Sequence, residues 1–300
     1  MTELRTDLMC RANLQTTMAN SLEYVPVPFN TDNYAWVITD GTFAVVVDPG
    51  VAGAVVDYAR ARKLIVTAVL ITHHHGDHVG GVEELLRCCG RKDAPVYGPA
   101  LERIESVTCK VGDGFTIELD EPRFSASVIA TPGHTNGHVT FYEPPSGGLP
   151  GHLFSGDTLF ASGCGRLLEG TADEMLESLD ILAILPPATL VHCAHEYTLS
   201  NLEFARVCDP NNKRVELWQQ EAAKIRQKGR PTLPTTIGHE LSVNPFLRVG
   251  EPDIHDVLVE RFGVPVPHRL AAFILMRAWK DLFQGEYREL TERWAPRLLT

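Results

Sequence analysis

The chain has 300 residues, 44% hydrophobic and 22% charged, with a formal net charge of -11. A chain this long buries a sizeable core without disulfides and holds one large domain or two ordinary ones. The acidic balance argues against nucleic acid or an anionic membrane as partner, since each needs a basic face; a small anionic substrate held by a few local cations stays compatible with it.

The seven cysteines (Cys10, Cys88, Cys89, Cys109, Cys164, Cys193 and Cys208) follow no regular spacing, so reduced thiols are expected. The opening MTELRTDLMCRANLQ has no apolar h-region, and no run of about 18 apolar residues follows, so a cytoplasmic address and no membrane span are expected. A monomer is the expected state.

In chain order, residues 1–20 show no period and read as an N-terminal extension. From Leu22 the pattern is β-rich: YAWVITD and TFAVVVDPG flank Asp40-Gly41, a hairpin signal. A helix is predicted near 53–62, then a buried strand in LIVTAVLIT that leads into HHHGDHVGG, then a helix in VEELLRCC. A second β-rich block spans 95–160. Thr171 and Glu174 form a capping box that opens a helix through TADEMLESLDILAIL, and ATLVHCA is a short strand before His195. Beyond residue 198 the pattern is helical in NLEFARVC, VELWQQEAAKIRQK, DIHDVLVERF and RLAAFILMRAWKDLF.

Four of the 12 histidines fall within residues 73–78, with Asp77 among them. This loop joins a buried strand to a helix, where side chains converge. Alternate residues of an extended segment face one side, so His73 and His75 suit one metal; Asp77 and His78, on the turn toward the helix, suit a second. Three later islands follow β-rich runs and offer further ligands: His134 in SVIATPGHTNGH, Asp157 in HLFSGDTLF and His195 in TLVHCAHEYT.

With its HxHxDH motif followed by H, D and H, the chain resembles the metallo-β-lactamase fold superfamily over residues 22–197. That resemblance implies an α+β fold, a four-layer αββα sandwich with the site at one edge, followed by a smaller α-helical C-terminal domain. It implies that His73, His75 and His134 bind one divalent ion, that Asp77, His78 and His195 bind another, and that Asp157 bridges them. Zinc is the first choice, with iron or manganese as alternatives. THHHGDHVGG, TPGHTNGHV, FSGDTLF, GCGRLLEGTADEM, HEYTLSNLEFA and NPFLR resemble glyoxalase II, the hydroxyacylglutathione hydrolases. This implies a catalytic domain at 21–197, a substrate-binding domain at 198–300, and hydrolysis of S-D-lactoylglutathione to D-lactate and glutathione, the second step of methylglyoxal detoxification. A hydroxide held between the metals, with Asp77 and Asp157 beside it, is then the nucleophile.

Glutathione carries two carboxylates, so local cations are needed. Arg277 and Lys280 lie three apart on one helix face and match the family's carboxylate clamp; Arg166 and Tyr197 match its other substrate contacts. Leu168 stands where many members have a second tyrosine, and Ala194 where glycine is usual. His74 is expected to point away from the metals, His138 to play a structural or orienting part, and His192 and Cys164 to pack; His152, His239, His255 and His268 fall in no motif. The alternatives are a mononuclear-iron glutathione persulfide dioxygenase and a hydrolase of another thioester or a lactone.

Overall fold

The computed structural model describes residues 22–283; the expected extension over 1–20 and the last part of the helical tail lie outside that range. The β-branched runs at the start of the chain form β1 (Glu23–Phe29), β2 (Asn33–Thr39) and β3 (Phe43–Val47). These pair antiparallel, and Gly41 takes the left-handed conformation that the predicted Asp40-Gly41 turn requires. Helix α1 (Ala52–Arg62) crosses over to β4 (Ile65–Leu70), which pairs parallel to β3. The metal-motif loop follows, with a single turn α2 (Gly76–Val79) and then α3 (Val82–Cys89).

The next strands, β5 (Val96–Pro99) and β6 (Cys109–Val111), add parallel to β4 and complete a six-stranded sheet in the order β1-β2-β3-β4-β5-β6. The β-rich block predicted as one unit over 95–160 is therefore divided between two sheets. Periodicity reports burial, and burial is the same whichever sheet a strand joins. The second sheet holds β7 (Thr116–Asp120), β8 (Arg123–Ala130), β9 (Val139–Glu143) and β10 (His152–Gly156). The hairpin β11 (Leu159–Phe160) and β12 (Gly163–Cys164) leaves it, and α4 (Ala172–Ala183), with the predicted Thr171–Glu174 box in place, covers it. Strand β13 (Leu190–Cys193) then returns parallel to β10.

The helical tail comprises α5 (Thr198–Cys208), α6 (Lys213–Gln227), α7 (Ile237–Val243), α8 (Pro252–Phe262) and α9 (Arg269–Asp281). Between α6 and α7, β14 (Thr235–Thr236) pairs with β13, giving the second sheet the order β14-β13-β10-β9-β8-β7. Two residues are too few for a strand period, and α7 is too short for a helical one, so neither was visible in the sequence.

Alternation in the strands builds four layers. Trp36, Ile38, Val45 and Val47 point between the sheets against Phe124, Val128, Phe141 and Phe154. Their neighbours Val37, Ala44 and Val46 point out, under Val55, Val56, Ala59 and Leu85 of α1 and α3. On the far face Leu153 and Val191 lie under Leu179 and Leu182 of α4, and the same core runs on into Phe204, Phe246, Phe273 and Trp279 of the tail. The indole of Trp36 donates to the Cys193 carbonyl at 2.9 Å and pins the two sheets together beside the end of β13. Among the described residues, no helix is long and apolar enough to cross a membrane.

Candidate active site

The loops that follow β4, β8, β10 and β13 meet at one edge of the sandwich and bring together all seven residues singled out from the motifs. His73 is fully buried; its Nε2 lies 2.9 Å from His75 Nδ1, which lies 3.1 Å from His134 Nε2. On the other side, His195 Nε2 is 3.6 Å and His78 Nε2 3.8 Å from Asp77 Oδ2. Asp157 stands between these groups. Its Oδ1 lies 3.5 Å from His78 Nε2 and 3.4 Å from His195 Nε2, while its Oδ2 lies 3.3 Å from His134 Nε2.

The geometry tests whether a cation fits. The ligand atoms of His73, His75 and His134 lie within 4.8 Å of one another, as do those of Asp77, His78 and His195. His78 Nε2 and Asp157 Oδ1 are buried and have no hydrogen-bond partner among the described residues. Imidazole and carboxylate donors converging with such atoms left unpaired fit divalent metal.

Electrostatics of the protein alone show the same tension. Burial and the neighbouring imidazoles push His73 and His75 below the ordinary histidine range, so both are neutral donors. Burial opposes charge on Asp157, yet His78 and His195 outweigh it and hold the carboxyl well below the usual range. Burial likewise opposes charge on His78, but Asp157 and Asp48 raise it to about 9. Without metal, a proton on His78 offsets the buried carboxylates; a cation would take over that part.

A second layer of side chains fixes the rings. Asp48, at the end of β3, accepts from the Thr72 backbone N–H at 2.9 Å and the Thr72 hydroxyl at 2.7 Å, and lies 3.0 Å from His78 Nδ1. Thr72 Oγ1 is in turn 3.0 Å from His73 Nδ1. Close packing against α2 requires Gly50, where a Cβ would sit 1.8 Å from the Asp77 carbonyl oxygen. His138 Nε2 accepts from the Asp157 backbone N–H at 3.1 Å, and its Nδ1 contacts Thr131 and Thr158, so its expected orienting part is met. Gly156, with φ +48, makes that approach possible, since a Cβ there would lie 2.7 Å from His138 Nε2. In the β1–β2 turn, Asp32 Oδ1 lies 2.9 Å from His195 Nδ1, and Asn33 donates to Asp77 Oδ2 at 3.0 Å. Asp32, Asn33 and Asp48 escaped the sequence reading because Asp and Asn beside turns are ordinary turn chemistry; the signal available was only that each turn ends a strand at this sheet edge.

Residues set aside behave as expected in most cases. His74 points away, to Glu102 at 2.9 Å and Glu169 at 3.2 Å. His192 is buried against Trp36 and Phe154, and His152, which fell in no motif, lies 2.9 Å from it. Burial pushes the Cys164 thiol up to about 11, as suits a packing residue. Among the described residues, Cys88, Cys89, Cys109, Cys164, Cys193 and Cys208 are free.

A cleft of about 550 Å³ runs from the cluster to the helical tail, lined by His75, Asp77, His134, Asp157 and His195 at one end and by Arg166, Arg277 and Lys280 at the other. Tyr197 also lines it, its ring stacked on His195 with centroids 4.6 Å apart. Arg277 is only 5% exposed and donates to the Cys164 carbonyl and to Asp281, both at 2.8 Å. Lys280 donates to the Ser200 carbonyl at 2.8 Å. Leu168 is exposed on the cleft wall.

Two packed sheets flanked by helices, with a His/Asp cluster at the edge, define a metal-binding hydrolase fold of the metallo-β-lactamase type. The family model "Metallo-beta-lactamase superfamily" matches residues 30–195, and "Hydroxyacylglutathione hydrolase C-terminus" matches 196–283. The chain belongs to the hydroxyacylglutathione hydrolase family of that superfamily. It is 47% identical over 270 residues to the hydroxyacylglutathione hydrolase of Cupriavidus metallidurans, covering 88% of this chain and 100% of the relative. With that of Shewanella halifaxensis it shares 42% over 266 residues, covering 87% and 100%. Among solved structures it is similar to BLEG-1 B3 metallo-beta-lactamase (TM-score 0.54, 25% identity, 76% of this chain and 99% of that one) and to TTHA1623 in a di-iron-bound form (TM-score 0.51, 27% identity, 74% and 99%). ETHE1 from Myxococcus xanthus shares the fold (TM-score 0.56, 22% identity, 92% and 96%).

Partners that orient metal-binding histidines typically contribute 10–100-fold to affinity. Asp32→Ala is therefore expected to weaken metal retention about 10–100-fold, measured as metal left on the protein across a chelator titration; retention equal to wild type would show that the Asp32–His195 contact has no part in binding.

Proposed function

We propose that the protein hydrolyses 2-hydroxyacyl thioesters of glutathione, S-D-lactoylglutathione first among them, to the hydroxy acid and glutathione. One observation carries this reading: a single cleft joins the His/Asp cluster to three cationic side chains of an otherwise acidic protein. Relatives named hydroxyacylglutathione hydrolase, matched along their full length, support it. Residues up to 197 carry the chemistry, and residues from 198 onward complete the recognition of the thiol carrier.

His73, His75 and His134 would hold one divalent ion and Asp77, His78 and His195 the other, with Asp157 between the two groups. Zinc is the first choice; the same donors accept iron or manganese, and the di-iron form of one similar structure favours keeping iron in view. When bound, such a pair lowers the pKa of water between the ions toward about 7 and polarises the acyl oxygen.

The chain's own residues do the rest. In the protein alone, His78 and Asn33 hold Asp77, and His78 and His195 hold Asp157, below the ordinary carboxyl range against burial; bound cations would take over that part, and the ionised carboxylates can accept a hydrogen bond from the attacking water. Burial and the nearby carboxylates push the Tyr197 hydroxyl above its ordinary range, leaving it a neutral donor on the cleft wall. Arg166, Arg277 and Lys280 receive the glutathione carboxylates. The leaving thiolate, with a thiol pKa near 8.5, needs no strong protein acid. Leu168 offers no hydrogen bond where a tyrosine would, which favours looser binding of the thiol carrier.

Hydrogen bonds to charged groups contribute about 1.5–3 kcal/mol each, so removing this end of the site should raise KM by about 100-fold. Arg277→Ala with Lys280→Ala is expected to do so on S-D-lactoylglutathione while kcat stays within about threefold; an unchanged KM would remove the pair from the substrate site, and a wild type inert on this thioester would overturn the assignment. Burial and then Arg277 push the Lys280 ammonium down to about 8. Its charge is present below that pH and lost above it, so KM should climb between about pH 7 and about pH 9.5 and stay flat over the same range in Lys280→Arg.

A further inference from the structure

We propose that Glu240, a buried carboxylate of the helical tail, is a positioning residue that sets the substrate limb of the β11–β12 hairpin. This hairpin runs from Asp157 at one end to Arg166 at the other. Its tip residue Ser162 is not glycine, yet has a left-handed φ of 58. Such a conformation is strained for a residue with a Cβ and persists only where the surroundings impose it.

Glu240 supplies that restraint. It is fully buried on α7, and its Oε2 accepts from the Ser162 backbone N–H at 2.7 Å and from the Asn244 side chain at 3.1 Å. The same Asn244 amide donates to the Gly163 carbonyl at 2.9 Å and the Phe160 carbonyl at 3.2 Å. From α5, Asn201 donates to the Ala161 carbonyl at 3.0 Å. Every residue from Phe160 to Gly163 is thus held through its backbone by a polar side chain of the tail.

The two limbs of the hairpin are not held alike. Asp157 is fixed from the sheet side by His138, independently of Glu240. The limb from Gly163 to Arg166 is tied to the first limb by the Gly165 N–H on the Thr158 carbonyl and to the tail by Asn244 and by Arg277 on the Cys164 carbonyl, and it presents Arg166 to the cleft. The Arg166 carbonyl also lies 2.9 Å from His134 Nδ1, so the limb touches one ring of the cluster, while His78 and His195 keep their own contacts to Asp48 and Asp32. Loss of Glu240 should loosen the substrate limb and reach the metal cluster only through the orientation of the His134 ring. A carboxylate is a poor way to fill a core for stability alone, since apolar residues of similar volume often serve as well or better; its use here fits a directional role. Glu240 Oε1 has no hydrogen-bond partner among the described residues and lies near the equally unpartnered Thr235 hydroxyl, so a glutamine amide fits the same space.

The inference rests on the glutathione thioester reading, and the test separates the two. Metal content, melting temperature, kcat and KM on S-D-lactoylglutathione, and Kd for glutathione itself by titration calorimetry, are measured for wild type, Glu240→Ala and Glu240→Gln. Misplacing Arg166 costs about one charge-assisted contact to the substrate, which predicts a rise of about tenfold in KM and Kd for Glu240→Ala, with metal content at saturating metal unchanged and kcat within about twofold; Glu240→Gln, which keeps the Ser162 acceptor, should return to within about threefold of wild type. If Glu240→Ala does not accumulate as folded protein, Asn244→Ala is measured in its place, with the same rise expected. Unchanged KM and Kd would overturn the inference, as would metal content and kcat falling in step with KM. A wild type that binds glutathione without hydrolysing the thioester would overturn the function instead, with the Kd ratio still deciding the role of Glu240; a wild type that binds no glutathione would overturn both.

Discussion

Asp157 is a carboxylate almost closed off from water with imidazoles on both sides of it. Its two oxygens face different histidines, Oδ1 toward His78 and His195 and Oδ2 toward His134. Burying such a charge is costly unless opposite charge is supplied at close range. The rest of the cluster answers that requirement: neutral donors on one side, a raised histidine on the other, and unpaired atoms facing the space between. Much of the fold can be read as the means of holding these groups within a few ångströms despite their separation of more than 120 residues in the chain.

The sandwich does this by ending four strands at one edge. The cores between and outside the sheets fix where β4, β8, β10 and β13 stop, and the loops beyond them have little freedom left. Asp48, Asp32 and Thr72 then lie against the rings of His78, His195 and His73, and His138 against the Asp157 backbone, so these four ligands are held by a polar neighbour as well as by their strands. The helical tail closes the arrangement from the far side. It brings Arg277 and Lys280 to the cleft while Glu240, Asn244 and Asn201 grip the hairpin that leads away from Asp157. Chemistry and recognition are thereby tied through one short hairpin.

The metal cluster was the most legible part of the sequence. Histidine is scarce enough that four within residues 73–78, beside Asp77, mark a site without structural help. His134, Asp157 and His195 became convincing only in order and after strands, because each alone is common. The four layers followed from the resemblance, but the assignment of β5 and β6 to the first sheet did not, since pairing partners leave no trace in periodicity. The supporting residues were least visible. Asp32 and Asp48 look like turn formers, and Glu240 sits in a helix of seven residues where an isolated glutamate reads as surface. Their roles depend on contacts across 24 to 163 positions of sequence separation, which no local pattern encodes.

Asp157 is proposed to join two metal sites. A crystal structure of the protein purified without added metal, with anomalous data collected at the edges of zinc, iron and manganese, tests this most directly. Two anomalous peaks about 3.5–4 Å apart are expected, one among His73, His75 and His134, the other among Asp77, His78 and His195, with an Asp157 oxygen on each. A single peak, or a pair that leaves Asp157 uncoordinated, would contradict it.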